Sequence, residues 1–334
     1  MTSRKLRWGV IGTGNIGRWA VIPAIKASRN GELVAVASRQ LDKAEAFAAE
    51  LGIPKAYGSY EALLEASDID VVYIPLPNSL HHEWTIRSAE MGKHILCEKP
   101  LGMSAQECLE MGAAARQHGV QLMEAFMYRF HPRTEKVVEM VRNGVVGELR
   151  LIRSAFTFRL TRLDNIRFKP ELGGGALMDV GCYSVNLSRT IAAAEPVEVQ
   201  AFARWGQGGV DEQMVGALRF ADGLLAQFDC ALTMERREEF QLAGTDAFLA
   251  VQAAFLPGEG RVAIDEVRGR QEKKKHWIKG VDEYRLMVEH FADCVLQNRP
   301  PRYSAGEAAA NMRVIEALFR SARRGGQPEA LHEG

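Results

Sequence analysis

Gly12, Gly14 and Gly17 stand directly behind an apolar run, Leu6–Ile11, and directly ahead of a stretch with helical periodicity. This G-x-G-x-x-G spacing restricts the fold more than any other feature of the 334-residue chain. At the end of a strand the first glycine permits a tight turn, the second lets a phosphate approach the backbone, and the third lets the helix pack on the strand. The free N–H groups and positive end of that helix suit a pyrophosphate. A glycine turn alone says little. Here a strand, a helix and a second strand follow one another at the lengths of a βαβ unit, so Gly12, Thr13, Gly14, Asn15, Ile16 and Gly17 are expected to hold a dinucleotide.

The same rhythm continues through the first 125 residues. Short β-branched runs at 6–11, 33–37, 71–74, 94–97 and 120–124 alternate with helix-patterned stretches at 16–27, 42–51, 60–66, 80–91 and 105–118. Continuous apolar strands separated by amphipathic helices predict a parallel sheet covered on both faces, an α/β doubly wound sheet of the Rossmann type. Gly92 and Gly119 fall where helix C-terminal caps belong. After Phe130 the pattern changes. A helix opens near Pro132 and closes at Asn143-Gly144, and a Gly-Gly-Gly run at 173–175 precedes a helix over 176–193. Beyond Pro196 come strands joined by hairpin turns, the clearest at Ala221-Asp222-Gly223, and two amphipathic helices follow at 282–296 and 305–323. Two domains are therefore expected: 1–125 for nucleotide binding, and 126–334 as an α+β domain of mainly antiparallel, open-faced sheet and helices for substrate binding and self-association.

Charge excludes several functions. Lys and Arg number 42, as do Asp and Glu, so no global field draws the chain to nucleic acid or to an anionic membrane. Lys273-Lys274-Lys275-His276 reads either as a local basic patch or as a solvated strand end or turn. Five scattered cysteines argue against a disulfide framework and for a reducing compartment. No Cys-x-x-Cys occurs, and the adjacent His81-His82 lack the separation of structural zinc ligands, so no metal is expected. The apolar stretch 6–11 is too short for a signal segment or a membrane span. A cytoplasmic protein is expected.

The second strand bears on which dinucleotide is used. NAD sites usually carry Asp or Glu about 20 residues past the glycine motif, to hold the ribose 2′-hydroxyl. This strand ends instead in Ala37-Ser38-Arg39, with Lys43 nearby. A hydroxyl and a guanidinium receive a 2′-phosphate that a carboxylate would repel. Ser38, Arg39 and Lys43 therefore predict NADP(H), with NAD(H) as the alternative and a merely solvated Arg39 as the competing reading.

Lys99 follows the strand at 94–97, at the carboxyl end where open α/β sheets bind ligands. Asp179 and Tyr183 are spaced i, i+4, and Asn186 lies three further on, so a regular helix puts all three on one face. Glu98-Lys99-Pro100, the stretch Gly173 to Tyr183 and the glycine fingerprint together resemble the Gfo/Idh/MocA oxidoreductase family over essentially the whole chain. The resemblance implies a hydride transfer between nicotinamide and a sugar or sugar-like molecule. In it Lys99 lies near the reacting oxygen, Tyr183 is the general acid/base, and Asp179 orients the substrate or tunes the pair.

Leu76, Pro77, Asn78 and His81 would follow the nicotinamide ribose, with Glu98 and Lys99 as further cofactor contacts, though Asn78 or Ser79 could equally cap the next helix. The Lys99-Pro100 bond is expected to be cis. Tyr128, Arg129, His131, Arg167 and Asn186 are candidates for the substrate pocket, with interdomain ion pairs as the other reading of the two arginines. The inositol dehydrogenases of the family have His at the Tyr183 position and Asp at that of Asn186. The tyrosine here resembles instead the glucose–fructose oxidoreductase, dihydrodiol dehydrogenase, NADP-linked xylose dehydrogenase and sugar ketoreductase branch. A homodimer or homotetramer built on one sheet face is expected. Two other functions compete: a dinucleotide-sensing regulatory protein without chemistry, and an NAD-dependent glycosidase.

Overall fold

A computed structural model of the chain describes residues 4–162, 164–270 and 272–331. Its first sheet is built from the apolar runs read above and one short edge. β1 (Leu6–Ile11), β2 (Gly31–Ala37), β3 (Lys55–Tyr57), β4 (Val71–Ile74), β5 (His94–Cys97) and β6 (Leu122–Glu124) are all parallel, in the order β3-β2-β1-β4-β5-β6. Strand order reverses between β1 and β4, and loops diverging at such a point open a crevice at the carboxyl ends of the strands. Val10, Ile11, Val71, Val72, Ile95 and Leu96 are fully buried, as strands covered on both faces require. The edge strand β3 was not expected, because Lys-Ala-Tyr is short and partly exposed and carries no apolar run.

The helices α1 (Ile22–Ala27), α2 (Leu41–Leu51), α3 (Tyr60–Glu65), α4 (His81–Glu90) and α5 (Ala105–Gln117) connect these strands. Ser59 and Ser104 cap α3 and α5 by accepting from Ala62 N and Glu107 N. The helix expected over 16–27 is not uniform. Its first turn, Gly17–Val21, is a π-turn in which Ile22 N bonds Gly17 O. Pro23 explains this: it has no N–H to give, and its ring would press on the carbonyl four residues back in a regular α-helix.

The chain forms two compact units, one running to Met127 and taking back Asp282–Ala309, the other comprising Tyr128–Val281 and the chain from Ala310 onward. The second contains α6 (Pro132–Arg142), α7 (Cys182–Ala192) and a nine-stranded sheet. Its strands are β7 (Leu149–Arg159), β8 (Pro196–Trp205), β9 (Asp211–Phe220), β10 (Leu225–Ala231), β11 (Thr233–Gly244), β12 (Phe248–Gln252), β13 (Arg261–Arg268), β14 (Glu272–Lys279) and β15 (Glu329–Ala330). The order is β14-β13-β12-β11-β7-β10-β9-β8-β15, antiparallel except for the β7·β10 pair. In the expected β9–β10 hairpin, Asp222 Oδ1 accepts from Leu224 N at 3.1 Å. Alternation along β9 buries Met214, Leu218 and Phe220 and turns Val215, Ala217 and Arg219 outward. The basic run 273–276 lies in the edge strand β14, where lysines discourage pairing with another sheet.

Expected as part of the second domain, residues 282–309 join the first unit. α8 (Glu283–Leu296) sets Phe291 edge-on to Trp8 at 6.0 Å, and Asn30 Nδ2 donates to Glu289 O and Asp293 Oδ1 at 2.9 and 2.8 Å. α9 (Ala305–Arg323) begins in the first unit and continues into the second. All five cysteines are buried free thiols. Among the described residues no helix is long and apolar enough to cross a membrane, and no group of three His, Cys, Asp or Glu is placed to hold a metal ion.

Candidate active site

The turn after β1 packs closely on the loop after β4. Gly12 has φ +108°, and a Cβ on Gly14 would lie 2.6 Å from the Pro75 carbonyl oxygen, so the loops after β1 and β4 meet with no room for a side chain. Such a cradle fits a dinucleotide pyrophosphate. Thr13 is half-buried, Asn15 and Ile16 are exposed, and Gly17 packs near Pro75 and Tyr73 at ordinary contact distance.

At the end of β2, Ser38 is buried and its Oγ accepts from Gln40 N at 3.4 Å, while Arg39 and Lys43 are exposed. Burial raises the Tyr60 phenol above its ordinary range, against the pull of the neighbouring Arg39 guanidinium. The Tyr60 hydroxyl is also 3.9 Å from where a Gly12 Cβ would stand. Arg39 and the glycine turn thus share Tyr60 as a neighbour, which suits a group that reads the phosphate of an adenosine ribose held at that turn. No carboxylate stands at 38–40.

After β4, Leu76 is buried, Pro77 and Asn78 are half-buried, and a 3₁₀ turn, Asn78–Leu80, leads into α4. Leu80 stands at the N-cap position of α4, directly behind Asn78 and Ser79. His81 was expected along the ribose. Its ring is fully buried, with Nδ1 2.9 Å from Pro100 O and Nε2 2.9 Å from Leu76 O. Glu98 is also buried and accepts from the Tyr73 hydroxyl at 2.5 Å; burial first, and the Glu98 charge second, push that phenol well above its usual range. Lys99 is half-buried just past the end of β5, and the Lys99-Pro100 bond is cis.

In the second unit the expected helix 176–193 begins with a π-turn, Leu177–Gly181, before α7. Asp179 falls in that wider turn and Tyr183 in the α-helix, so their partners differ. Arg167 Nε donates to Asp179 Oδ2 at 2.6 Å, an ion pair within this unit. The largely buried Tyr183 ring lies among Phe255, Phe156 and Tyr128, with centroids at 5.2, 5.4 and 5.8 Å. Tyr128 and Asn186 are both buried, and the Tyr128 hydroxyl donates to Asn186 Oδ1 at 2.6 Å. Arg129 is buried, and His131 caps α6 by accepting from Arg133 N at Nδ1.

Several supporting residues escaped the sequence reading. Asp211 Oδ2 accepts from Leu177 N at 2.7 Å at the start of the helical segment, and burial lifts this carboxyl to about 7. Arg133 donates to the carbonyls of Gln252, Ala253 and Ala254, and Glu238 accepts from Phe255 N, which together fix the Phe255 ring. Nothing local marks Asp211 or Phe255. Tyr73 and Glu124 carried a usable signal: a polar group inside, or closing, an otherwise apolar strand needs a partner.

A parallel sheet in this strand order, with a glycine-rich turn at its reversal point, defines an α/β protein of the dinucleotide-binding class. Residues 6–126 match the GFO_IDH_MocA oxidoreductase family with its NAD-binding Rossmann fold, and residues 134–250 match the GFO/IDH/MocA C-terminal domain. The chain belongs to the Gfo/Idh/MocA family of NAD(P)-dependent oxidoreductases. It is 39% identical over 325 residues to D-xylose 1-dehydrogenase (NADP(+)) 2 of Haloferax volcanii, covering 97% of this chain and 99% of that one. It is 36% identical over 257 residues to trans-1,2-dihydrobenzene-1,2-diol dehydrogenase of Mus musculus, covering 76% and 77%. The crystal structure of a 3-ketoreductase from Actinomadura kijaniata, in complex with NADP and TDP-benzene, superposes with a TM-score of 0.91 at 30% identity, covering 95% of this chain and 98% of that one.

Proposed function

We propose that the chain is an NADP(H)-dependent oxidoreductase that transfers a hydride between nicotinamide and a sugar or sugar-like substrate, oxidising an aldose to a lactone or reducing a keto-sugar. One observation carries this reading. A lysine just past the carboxyl end of β5 and a tyrosine on α7, the ammonium and phenol that a hydroxyl–carbonyl interconversion needs, lie within the two stretches, 6–126 and 134–250, that match an oxidoreductase family. A dinucleotide sensor has no use for that pair, and an NAD-dependent glycosidase would retain its cofactor through turnover.

The backbone from Gly12 to Gly17 would hold the pyrophosphate, Ser38, Arg39 and Lys43 the 2′-phosphate, and Leu76, Pro77 and Asn78 the nicotinamide ribose. When bound, the nicotinamide supplies or accepts the hydride. Lys99 polarises the reacting oxygen by its positive charge. Tyr183 gives or takes the hydroxyl proton, a contribution of about 10²–10⁴-fold. Asp179, held by Arg167, orients the substrate hydroxyls; Tyr128 and Asn186 act behind the Tyr183 wall, and Arg129 is a further substrate residue. Arg39 and the NADP named for two relatives support the cofactor preference, with NAD(H) as the alternative. The outward face of the nine-stranded sheet, with Phe202, Val215 and Leu225 exposed, supports a homodimer or homotetramer. Balanced charge and buried free thiols suit a cytoplasmic setting.

The test is a panel of aldoses and keto-sugars offered with NADP(H) and NAD(H). Nicotinamide absorbance should change stoichiometrically with product, faster with NADP(H), for at least one sugar. Turnover of a glycoside with no net change in a cofactor that stays bound would overturn the reading, as would cofactor binding with no reaction across the panel.

A further inference from the structure

Three buried side chains hold the residues on either side of Lys99. The Tyr73 hydroxyl from β4 donates to Glu98 Oε1 at 2.5 Å, and Glu124 Oε1, at the end of β6, accepts from Leu101 N at 2.7 Å. His81, at the start of α4, has Nδ1 2.9 Å from Pro100 O and Nε2 2.9 Å from Leu76 O. The residue before Lys99 and the two after it are therefore each held by a group from a different element. The loop's root is tied as well, by Glu98 N to Ile74 O at 3.2 Å and Ala125 N to Cys97 O at 2.8 Å.

His81 differs from the others in what it joins. Both of its neighbours are carbonyl acceptors, whereas a neutral imidazole has one N–H to give. Only the imidazolium donates to both, and burial together with the Lys99 charge opposes that form. A histidine kept for packing alone would be replaced to advantage by an apolar residue, since a polar ring in a fully buried place costs free energy unless its bonds are used. The neutral ring donates to one of these two carbonyls and stands against the other, and the two belong to particular loops, one carrying Leu76, Pro77 and Asn78, the other carrying Lys99.

We propose that His81 is a positioning residue that ties the Lys99 loop to the nicotinamide-ribose loop, setting the ammonium in register with the bound cofactor. This rests on the reading of Lys99 as catalytic. A misplacement of about 1 Å costs on the order of 10²-fold in rate, while the proposed pyrophosphate and 2′-phosphate contacts lie on loops that His81 does not touch.

The test compares His81→Leu, which roughly keeps the volume and loses the ring's hydrogen bond, with His81→Gln, which keeps an amide donor, each alone and combined with Lys99→Ala. Folding is checked by circular dichroism, NADPH binding by fluorescence, and kcat and KM on the sugar the enzyme uses. Lys99 itself is followed in the cofactor-free protein by NMR titration of the reductively methylated amine. His81→Leu should lower kcat about 100-fold and His81→Gln about tenfold, with NADPH affinity held within about threefold. The Lys99 titration should move in His81→Leu, and His81→Leu should cost nothing further in the Lys99→Ala background. Wild-type kcat with an unmoved titration in folded His81→Leu overturns the proposal, as do equal losses in both backgrounds, which mark a general structural role. If His81→Leu does not fold, His81→Gln decides on the same readouts. Full activity of Lys99→Ala alone would sink the catalytic reading instead, and the NMR titration would still report whether His81 holds the loop.

Discussion

Arg39 stands where an acidic side chain would favour a free ribose hydroxyl. A guanidinium–phosphate bond is charge-assisted and contributes about 1.5–3 kcal/mol. Arg39→Ala should therefore narrow the NADP-over-NAD ratio of kcat/KM by about 10–100-fold, chiefly through the NADP arm; an unchanged ratio would place the guanidinium outside the site. Residues whose task is set by backbone geometry were legible before any coordinates: Gly12 and Gly14 face the Leu76 side chain and Pro75 carbonyl of another loop, and no other residue type fits there. Residues whose task depends on a distant partner were legible in type alone. Tyr128 and Asn186 bond each other across 58 positions, His81 sits between two loop carbonyls, and Glu124 serves an amide that no local pattern points to.

Among the elements, β1, β4 and β5 could be read to the residue, because a strand buried on both faces must be a continuous apolar run. The helix after the glycine turn and the helical segment that carries Asp179 and Tyr183 were read as regular α-helices and contain π-turns, Gly17–Val21 and Leu177–Gly181. Hydrophobic periodicity is too coarse to register one extra residue in a turn. The second of these segments starts on Asp211, whose carboxyl is lifted to about 7 by burial, against the pull of the Leu177 and Ala176 amides. Since its folded pKa lies above the unfolded value, the stability it contributes is complete below the ordinary carboxylate range and is lost as pH rises through about 7. Compared with Asp211→Asn, the wild type should lose about 3–4 kcal/mol more unfolding free energy between roughly pH 4 and 7, measured by urea denaturation at both. Parallel pH profiles would show that the carboxyl titrates normally.

For the molecule as a whole, equal numbers of acidic and basic residues leave recognition to local sites. The return of 282–309 to the first unit was not legible, because the apolar stripe of an amphipathic helix such as α8 says that it is buried and not against what. The open face of the large sheet was legible only as alternation. On it Phe202 pairs across to Val215, and the outward-facing Leu225 is half exposed. If the proposed self-association uses this face, Val215→Glu combined with Leu225→Glu should lower the mass seen in light scattering to that of a monomer, and an unchanged mass would contradict that use of the face. The most direct test of the central claim is the turnover of Lys99→Ala and Tyr183→Phe beside their NADPH affinity. Turnover should fall by about 10²–10⁴-fold in each while NADPH binds as in the wild type. Undiminished turnover in both variants would contradict the account.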